Sequence, residues 1–581
     1  MGMKVQSTKY QVPGRTSILP VLMLLLSFIS NAQQRNFPLN REFGMWYESS
    51  LKAPIKELLL TVDSVKGNFT ETWTFIKHPK PDSGSCFKPY VVHFTYNNGR
   101  NNTKKYVKRG PEMNWFQRKL LYESLIVVRD TTDKFYMTID PLFDFQFGRD
   151  KMDTSGEKLF VNTRGILVRG DIGSKFSFET NFYENQARFP TYIDSFNMQY
   201  GVVPGQGRWK PFKENKKNEY LSGYDYAMAS GYVSYSPNRH FNFQVGHGKH
   251  FIGDGYRSLL LSDNVFNYPF FRVTTIFGKF QYTNLYAAFM NMTYGATPKG
   301  TEHLFQKKAG VFQFLSYNII PRIQLGLFQA TIAQGADYRN NQHLEAFYFN
   351  PLIFANAIKY GLNDSYNVLL GSTLKIKVTN SISLYGQYVV DEFPPKESGA
   401  GSVHNKQGFQ AGAKYFNVFG IKNLHLQLEY NRVRPYTYAK DSMLDAYSHY
   451  NQALAHPLGA NFKEAIAFLN YRIGDFFAEV HFSYAIVGRD SAGANFGADI
   501  FRNATTAWYG AGSDINTQCQ GLKTTILYKE IKVGYLINPA TNMNLVLGFS
   551  QRDMSNIFSE NHSFYLYFGF RTSLTNHYYD F

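Results

Sequence analysis

Residues 246–264 read GHGKHFIGDGYRSLLLSDN and gather an unusual density of polar chemistry. Lys249, His250, Asp254, Arg257, Asp263 and Asn264 fall within 16 positions. Carboxylate and amide groups pair with sugar hydroxyls, and Arg and Lys take a uronate or a phosphate. Tyr256, with Tyr268 and Phe271 further on, adds flat faces for stacking. The set suits a hydroxyl-rich or acidic sugar; the same groups would equally tie an inward-folded loop to the wall around it. A second cluster, RVRPYTY over 432–438, carries Arg434 and Tyr436 and runs on to the aromatic, His-bearing stretch YSHYNQALAHPLGAN at 447–461.

Signatures of catalysis fail one by one. His247 and His250 are three apart among glycines that disfavour a helix, and that spacing does not share one face of a strand. No HExxH or CxxC accompanies them, so no metal site is expected. Gly246-His247-Gly248 and Gly253-Asp254-Gly255 look like a phosphate cradle. Yet Phe251 stands where GxGxxG needs its third glycine, and His250 follows Gly248-Lys249 where a P-loop needs Ser or Thr. Ser258 is outside any GxSxG elbow. The reading is non-enzymatic and without cofactor, with glycines that permit a tight or bulged backbone.

Strands must position this stretch. Before it, Phe241, Phe243 and Val245 alternate with Asn242 and Gln244; strand-like pattern resumes at about Phe270. The same period of two recurs along the chain. Leu424, Leu426, Leu428 and Tyr430 alternate with His425, Gln427, Glu429 and Asn431. Ala478, Val480, Phe482 and Tyr484 alternate with Glu479, His481 and Ser483, and Phe564, Leu566, Phe568 and Phe570 with Tyr565, Tyr567, Gly569 and Arg571. Aromatic residues make up 17% of the 581, with 52 Phe and 42 Tyr, while mean hydropathy is −0.33. Abundant aromatics at low mean hydropathy are what a membrane barrel produces, with one strand face in lipid and the other in water. The fold expected over 134–581 is therefore all-β, a transmembrane antiparallel β-barrel of about 16–18 strands. Long polar connections at 185–221, 334–345, 392–406, 435–462 and 489–518 would be its outer loops.

The ends of the chain agree with export. Lys4, Lys9 and Arg15 precede the apolar run Ile18–Ile29 and the small-residue site Ser30-Asn31-Ala32, which reads as a signal peptide over 1–32. Helix-like spacing over 51–62 and 114–128 predicts a small helical or mixed periplasmic segment at 33–133, packed on the barrel floor or plugging it. The last residue, Phe581, follows the alternating segment 564–571 and resembles the assembly signal of a final outer-membrane strand. Cys86 and Cys519 leave a disulfide open. The net charge of +17 favours polyanions, which for an exported barrel are lipid headgroups, lipopolysaccharide and acidic polysaccharide rather than nucleic acid.

In GKHFIGDGYRSLLLSDNVFNYP, residues 248–269, the chain resembles the Wzi-like capsule-assembly family of outer-membrane barrels. In IGDGYRSLLLSDN, RPYTY and AHPLGAN it is most similar to that family's RemB-type branch, associated with gliding motility in Bacteroidetes. Where capsule-anchoring members carry a Trp-Gly-Pro-Gly-type turn, this chain has Phe251-Ile252-Gly253-Asp254-Gly255. The resemblance implies a monomeric barrel of about 18 strands in the outer membrane that holds or organises surface polysaccharide without catalysis. Two other expectations stand beside it: an accessory of motility or secretion machinery, and a porin-like diffusion channel.

Overall fold

The computed structural model describes residues 33–581 except 51–57, 66–67, 76–84, 98–113, 131–134, 154–155, 157, 174, 213–222, 295–304, 335–348, 361–365, 393–401, 441, 504–515 and 573–574. The signal-peptide reading over 1–32 lies outside the described residues.

Alternation of period two becomes eighteen antiparallel strands in one closed sheet. They are β1 (Phe135–Asp150), β2 (Leu159–Ile172), β3 (Phe176–Arg188), β4 (Gly223–Asn238), β5 (Phe241–Gly248), β6 (Tyr268–Phe277), β7 (Phe280–Tyr294), β8 (Phe305–Ile320) and β9 (Ile323–Gln334). The second half comprises β10 (Asn367–Lys377), β11 (Ile382–Glu392), β12 (Lys406–Phe416), β13 (Leu424–Val433), β14 (Phe462–Ile473), β15 (Phe476–Arg489), β16 (Leu522–Asn538), β17 (Met543–Ser555) and β18 (Glu560–Arg571). Each strand pairs with the next, and β18 closes on β1 through Tyr565↔Asp150 to Arg571↔Asp144. Closure removes the unpaired edges that an open sheet would expose in lipid.

Burial along the strands is inverted relative to a water-soluble protein. Val245, Leu428, Val480, Phe482, Leu547 and Phe568 are exposed, while their neighbours Gln244, His425, Glu429, Glu479 and His481 are buried in the lumen. An apolar exterior around a polar interior is the pattern of a barrel set in a bilayer. Among the described residues no helix is long and apolar enough to cross a membrane, which says nothing of the strands. Short turns such as 239–240, 278–279, 321–322 and 474–475 lie at one end, and long connections such as 189–222, 249–267, 434–461 and 490–521 at the other.

Three segments fill the lumen. The 249–267 connection folds inward, and its Leu259, Leu260 and Leu261, all fully buried, join a core with Phe312, Phe314, Phe328 and Ile332 of the wall. The second segment is N-terminal. Helix α1 (Arg41–Ser50) sets Glu42 against Lys532 at 2.6 Å and Arg571 at 3.2 Å, and pairs Arg41 with Glu479 and Glu48 with Lys414. Phe87–Lys88 then forms a two-residue ladder with Phe251–Ile252 of the inward loop. The third segment, 575–581, turns back into the barrel after β18.

Three expectations are revised here, and the disulfide left open is decided. Of the predicted helix over 51–62, the described part belongs to a strand, Leu58–Val65, because its Val and Thr favour extended backbone. Over 114–128 only α2 (Trp115–Leu121) is helical, capped by Asn114; the β-branched run after it forms strand Ile126–Asp130 against β1. The terminal Phe581 does not close the last strand: that strand ends at Arg571, and Phe581 packs inside against Phe196 with ring centroids 4.9 Å apart. Cys86 and Cys519 are both free thiols.

Candidate functional site

The glycine-rich stretch is built around an anion, and the anion is the protein's own. Glu429 projects inward from β13, and its carboxylate accepts from the N–H of Tyr256 at 2.7 Å and of Arg257 at 3.1 Å. Gly255 makes this approach possible: a Cβ there would run into Glu429 Oε2 and would lie 2.9 Å from Gln410 Oε1. Gly253 adopts φ +147°, which a side chain would strain. Tyr385 Oη and Gln410 Nε2 also donate to Glu429, at 2.9 and 3.2 Å. The resemblance to a phosphate cradle thus has a physical basis, with a side-chain carboxylate in the phosphate's place.

Arg257 is the centre of the next layer. It is 1% exposed, and its Nη2 pairs with Glu464 at 3.0 Å and with Asp580 of the returning tail at 2.9 Å. His456 Nε2 meets the other oxygen of Glu464 at 2.7 Å; burial drives this histidine below its usual range, so it donates as a neutral ring. Tyr256 packs against Phe468, His481 and Tyr578, with centroids 4.7–5.4 Å away.

The other residues named from the sequence lie elsewhere. Asp254 pairs with Lys375 of β10. Asp263 accepts from Tyr578 Oη at 2.6 Å and Asn576 Nδ2 at 3.0 Å, again on the returning tail. Lys249 donates to the Gly205 carbonyl, and burial lowers its pKa to about 8. His250 is fully buried, with Nδ1 3.2 Å from Tyr268 Oη and its ring edge-on to Phe270 at 4.5 Å. Asn264 donates to Ala453 O at 3.4 Å. Arg434 donates to Asn405 O at 2.7 Å, and Tyr436 to Asn495 O at 2.8 Å. The nine residues therefore do not converge on one pocket. Sequence reading gathered them by proximity along the chain, whereas the partners of Arg257, for example, are Glu429, Glu464 and Asp580, 172 to 323 positions away.

An open cleft of about 450 Å³ lies at the long-loop end, at residues that local motifs do not mark. Helix α3 (Thr191–Tyr200) presents Phe196 and Tyr200, four apart and so on one face, with centroids 4.6 Å apart. Arg489 stands at the tip of β15, and Arg552 of β17 lines the same cleft. Arg502 and Asp490, in the connection between β15 and β16, pair at 3.2 Å, and Arg502 also donates to Ala494 O and Gly493 O. The only sequence signal for this cleft is that Arg489 opens a long polar connection. Among the described residues no group of three or more His, Cys, Asp or Glu is placed to hold a metal ion.

No family model and no curated protein matches the sequence. Solved structures do. One is Wzi, an outer-membrane protein involved in group 1 capsule assembly in Escherichia coli and described as a carbohydrate-binding β-barrel, at 11% identity and TM-score 0.46, over 74% of this chain and 83% of that one. OpdK from Pseudomonas aeruginosa matches at 9% identity and TM-score 0.40, over 75% and 98%. OccAB2 from Acinetobacter baumannii matches at 8% and 0.40, over 75% and 97%.

Proposed function

We propose that the chain is a non-enzymatic barrel of the outer membrane that holds surface polysaccharide at its long-loop mouth. The observation that carries this reading is the contrast between a bore filled by three inward segments and an open cleft of arginines and aromatics at one end. A plugged bore suits a binding protein better than a diffusion channel. Aromatic faces with Arg and Asp at their edge suit pyranose rings, which offer apolar C–H faces and a rim of hydroxyls. On this reading Lys249–Asn264 and Arg434–Tyr436 hold the plug that shapes the mouth, the leader over 1–32 directs export, and the segment 33–133 meets the barrel from the periplasmic side. Lipid and lipopolysaccharide surround the outer face, and the barrel acts as a monomer.

The test is retention of purified bacterial polysaccharides, acidic and neutral, by the full chain immobilised in detergent. At least one glycan should be retained, and Tyr200→Ala should reduce that retention about tenfold, the loss of one stacking contact plus its burial. No retained glycan, with motility or secretion-system proteins co-purifying instead, would replace the reading by a protein–protein role in that machinery.

A further inference from the structure

The outer wall over β13–β16 carries a cationic patch that neither the plug nor the cleft uses. On β13, Leu428 and Tyr430 are exposed, and Arg432 follows on their face, between the buried Asn431 and Val433. The strand register sets Arg432 directly opposite Lys463 of β14, which lies between the buried Phe462 and Glu464 and so also faces outward. Side chains so placed have Cβ atoms about 4.5–5.5 Å apart, and like charges there repel. Arg434 comes two residues after Arg432; its Nε donates to Asn405 O at 2.7 Å, while its Nη2 is buried with no acceptor. Lys523 is exposed near the start of β16, on the face of Ile531 and Val533. Among the described residues none of these four cations makes an ion pair.

The patch is held in place. Gln518 donates to Val433 O at 2.7 Å and to Phe462 O at 3.0 Å, which ties together the outer ends of β13 and β14. Its Oε1 accepts from Arg432 Nε at 3.0 Å. The two Nη groups of Arg432, the fork that suits a phosphate, are left open beside Lys463. A phosphate between the two side chains would turn their repulsion into attraction.

Its level is equally specific. The row runs Tyr388↔Phe409↔Arg432↔Lys463, and Tyr430 and Tyr484 flank Ala465 one row nearer the middle of the barrel. All four aromatic rings are exposed on the outer face. Such a band marks the boundary between hydrocarbon and water, here at the end that bears the long connections. A ligand at this height meets cations above and apolar wall below, so it needs an anionic head and an apolar tail. A polysaccharide has no such tail.

We infer that the patch seats a phosphorylated lipid headgroup of the outer leaflet, with one phosphate between Arg432 and Lys463, Arg434 and Lys523 flanking it, and acyl chains running down over Tyr430 and Tyr484. The inference rests on the outer-membrane reading above and is independent of the glycan one. It gives part of the net charge of +17 a place on the molecule.

Native mass spectrometry of the full chain, released from detergent with added lipid, tests this. The probes are lipid A with both phosphates and lipid A stripped of them. The phosphorylated form should bind about tenfold or more tightly, as expected of charge-assisted bonds. Arg432→Gln with Lys463→Gln should erase that preference. Lys463→Gln alone, which breaks no bond to a described residue, should reduce it, so the test holds even where the double variant fails to fold. Lys307→Gln, at an exposed cation of β8, should leave it unchanged. A large excess of inorganic phosphate should not displace the lipid. Equal binding of the two lipids, or a preference that survives both the single and the double variant, would overturn the site. Displacement by inorganic phosphate would overturn the lipid assignment, and displacement by an acidic polysaccharide would assign the cations to glycan instead. Polysaccharide retention is read separately, so either reading can fail without the other.

Discussion

Arg257 shows how a single residue can look like a ligand group and serve the fold. Its guanidinium lies between Glu464 and Asp580, at 3.0 and 2.9 Å, with 1% of its surface exposed. Replacing it by Met leaves two carboxylates facing each other away from water. Breaking one side of a buried ion pair costs about 3–5 kcal/mol, and Arg257→Met should lower the urea unfolding midpoint accordingly. Adding Glu464→Gln should recover part of the loss, because one of the orphaned charges is then removed. A single variant as stable as the parent would mean that the cluster contributes nothing to the fold. The residue types in 249–264 were legible in the sequence, and so was their capacity for polar pairing. Their partners were not, because a lone sequence does not show which inward position of one strand faces a loop two hundred residues away.

At the scale of elements, the inward loop and helix α1 fill the same bore by different means. The loop brings apolar residues: Leu259, Leu260 and Leu261 meet Phe312, Phe314 and Phe328, and each fully buried Leu contributes about 1.5–3 kcal/mol. Helix α1 is held mainly by ion pairs to inward wall residues, and a small cavity of about 60 Å³ lies along it. Two glycines should therefore respond with opposite sign. Gly255→Ala forces the loop off Glu429 and should cost about 1–3 kcal/mol. At Gly44, inside α1, an added Cβ meets nothing within 4 Å, so Gly44→Ala should stabilise by about 0.5–1 kcal/mol through helix propensity. Unfolding midpoints of the two variants check this, and a shared sign would refute the contrast. Strands were the most legible elements, because lipid on one face and a wet lumen on the other impose a period of two. The inward patch departs from that alternation: Phe312 and Phe314, on one face of β8, pack inside the barrel with Leu259, Leu260 and Leu261, while Gln313 lies on the other face. The N-terminal segment misled because a short apolar run carries no length signal to separate helix from strand.

For the whole molecule, the wall and its contents should differ in their response to acid. Burial holds His449, in the 434–461 connection, and His577, in the returning tail, at pKa values of about 3, well under the usual 6.5. His449 Nδ1 accepts from Met290 N at 3.0 Å, and its Nε2 lies 3.3 Å from Asn267 O, which fixes the neutral tautomer. Between about pH 6.5 and 3 the unfolded chain binds protons at these histidines that the folded chain does not, so stability falls as pH falls. Burial alone would raise Glu48 of α1, but Lys414 and Lys88 hold it at about 2 against the usual 4.5. Its contribution is complete above about pH 4.5 and is lost as the pH drops towards 2, in the same direction. The outward faces of the strands carry apolar side chains such as Val480, Leu547 and Phe568, which do not titrate. Acid should therefore loosen the lumen contents while the wall stays closed. In planar bilayers the protein should be silent at pH 7 and show fluctuating conductance as the pH approaches 3, with protease sensitivity of the 249–267 connection rising over the same range. Steady conductance at pH 7 would show that the bore is open and favour the diffusion channel over the glycan-holding barrel. Silence with an unchanged protease pattern down to pH 3 would show that the buried histidines do not govern the plug.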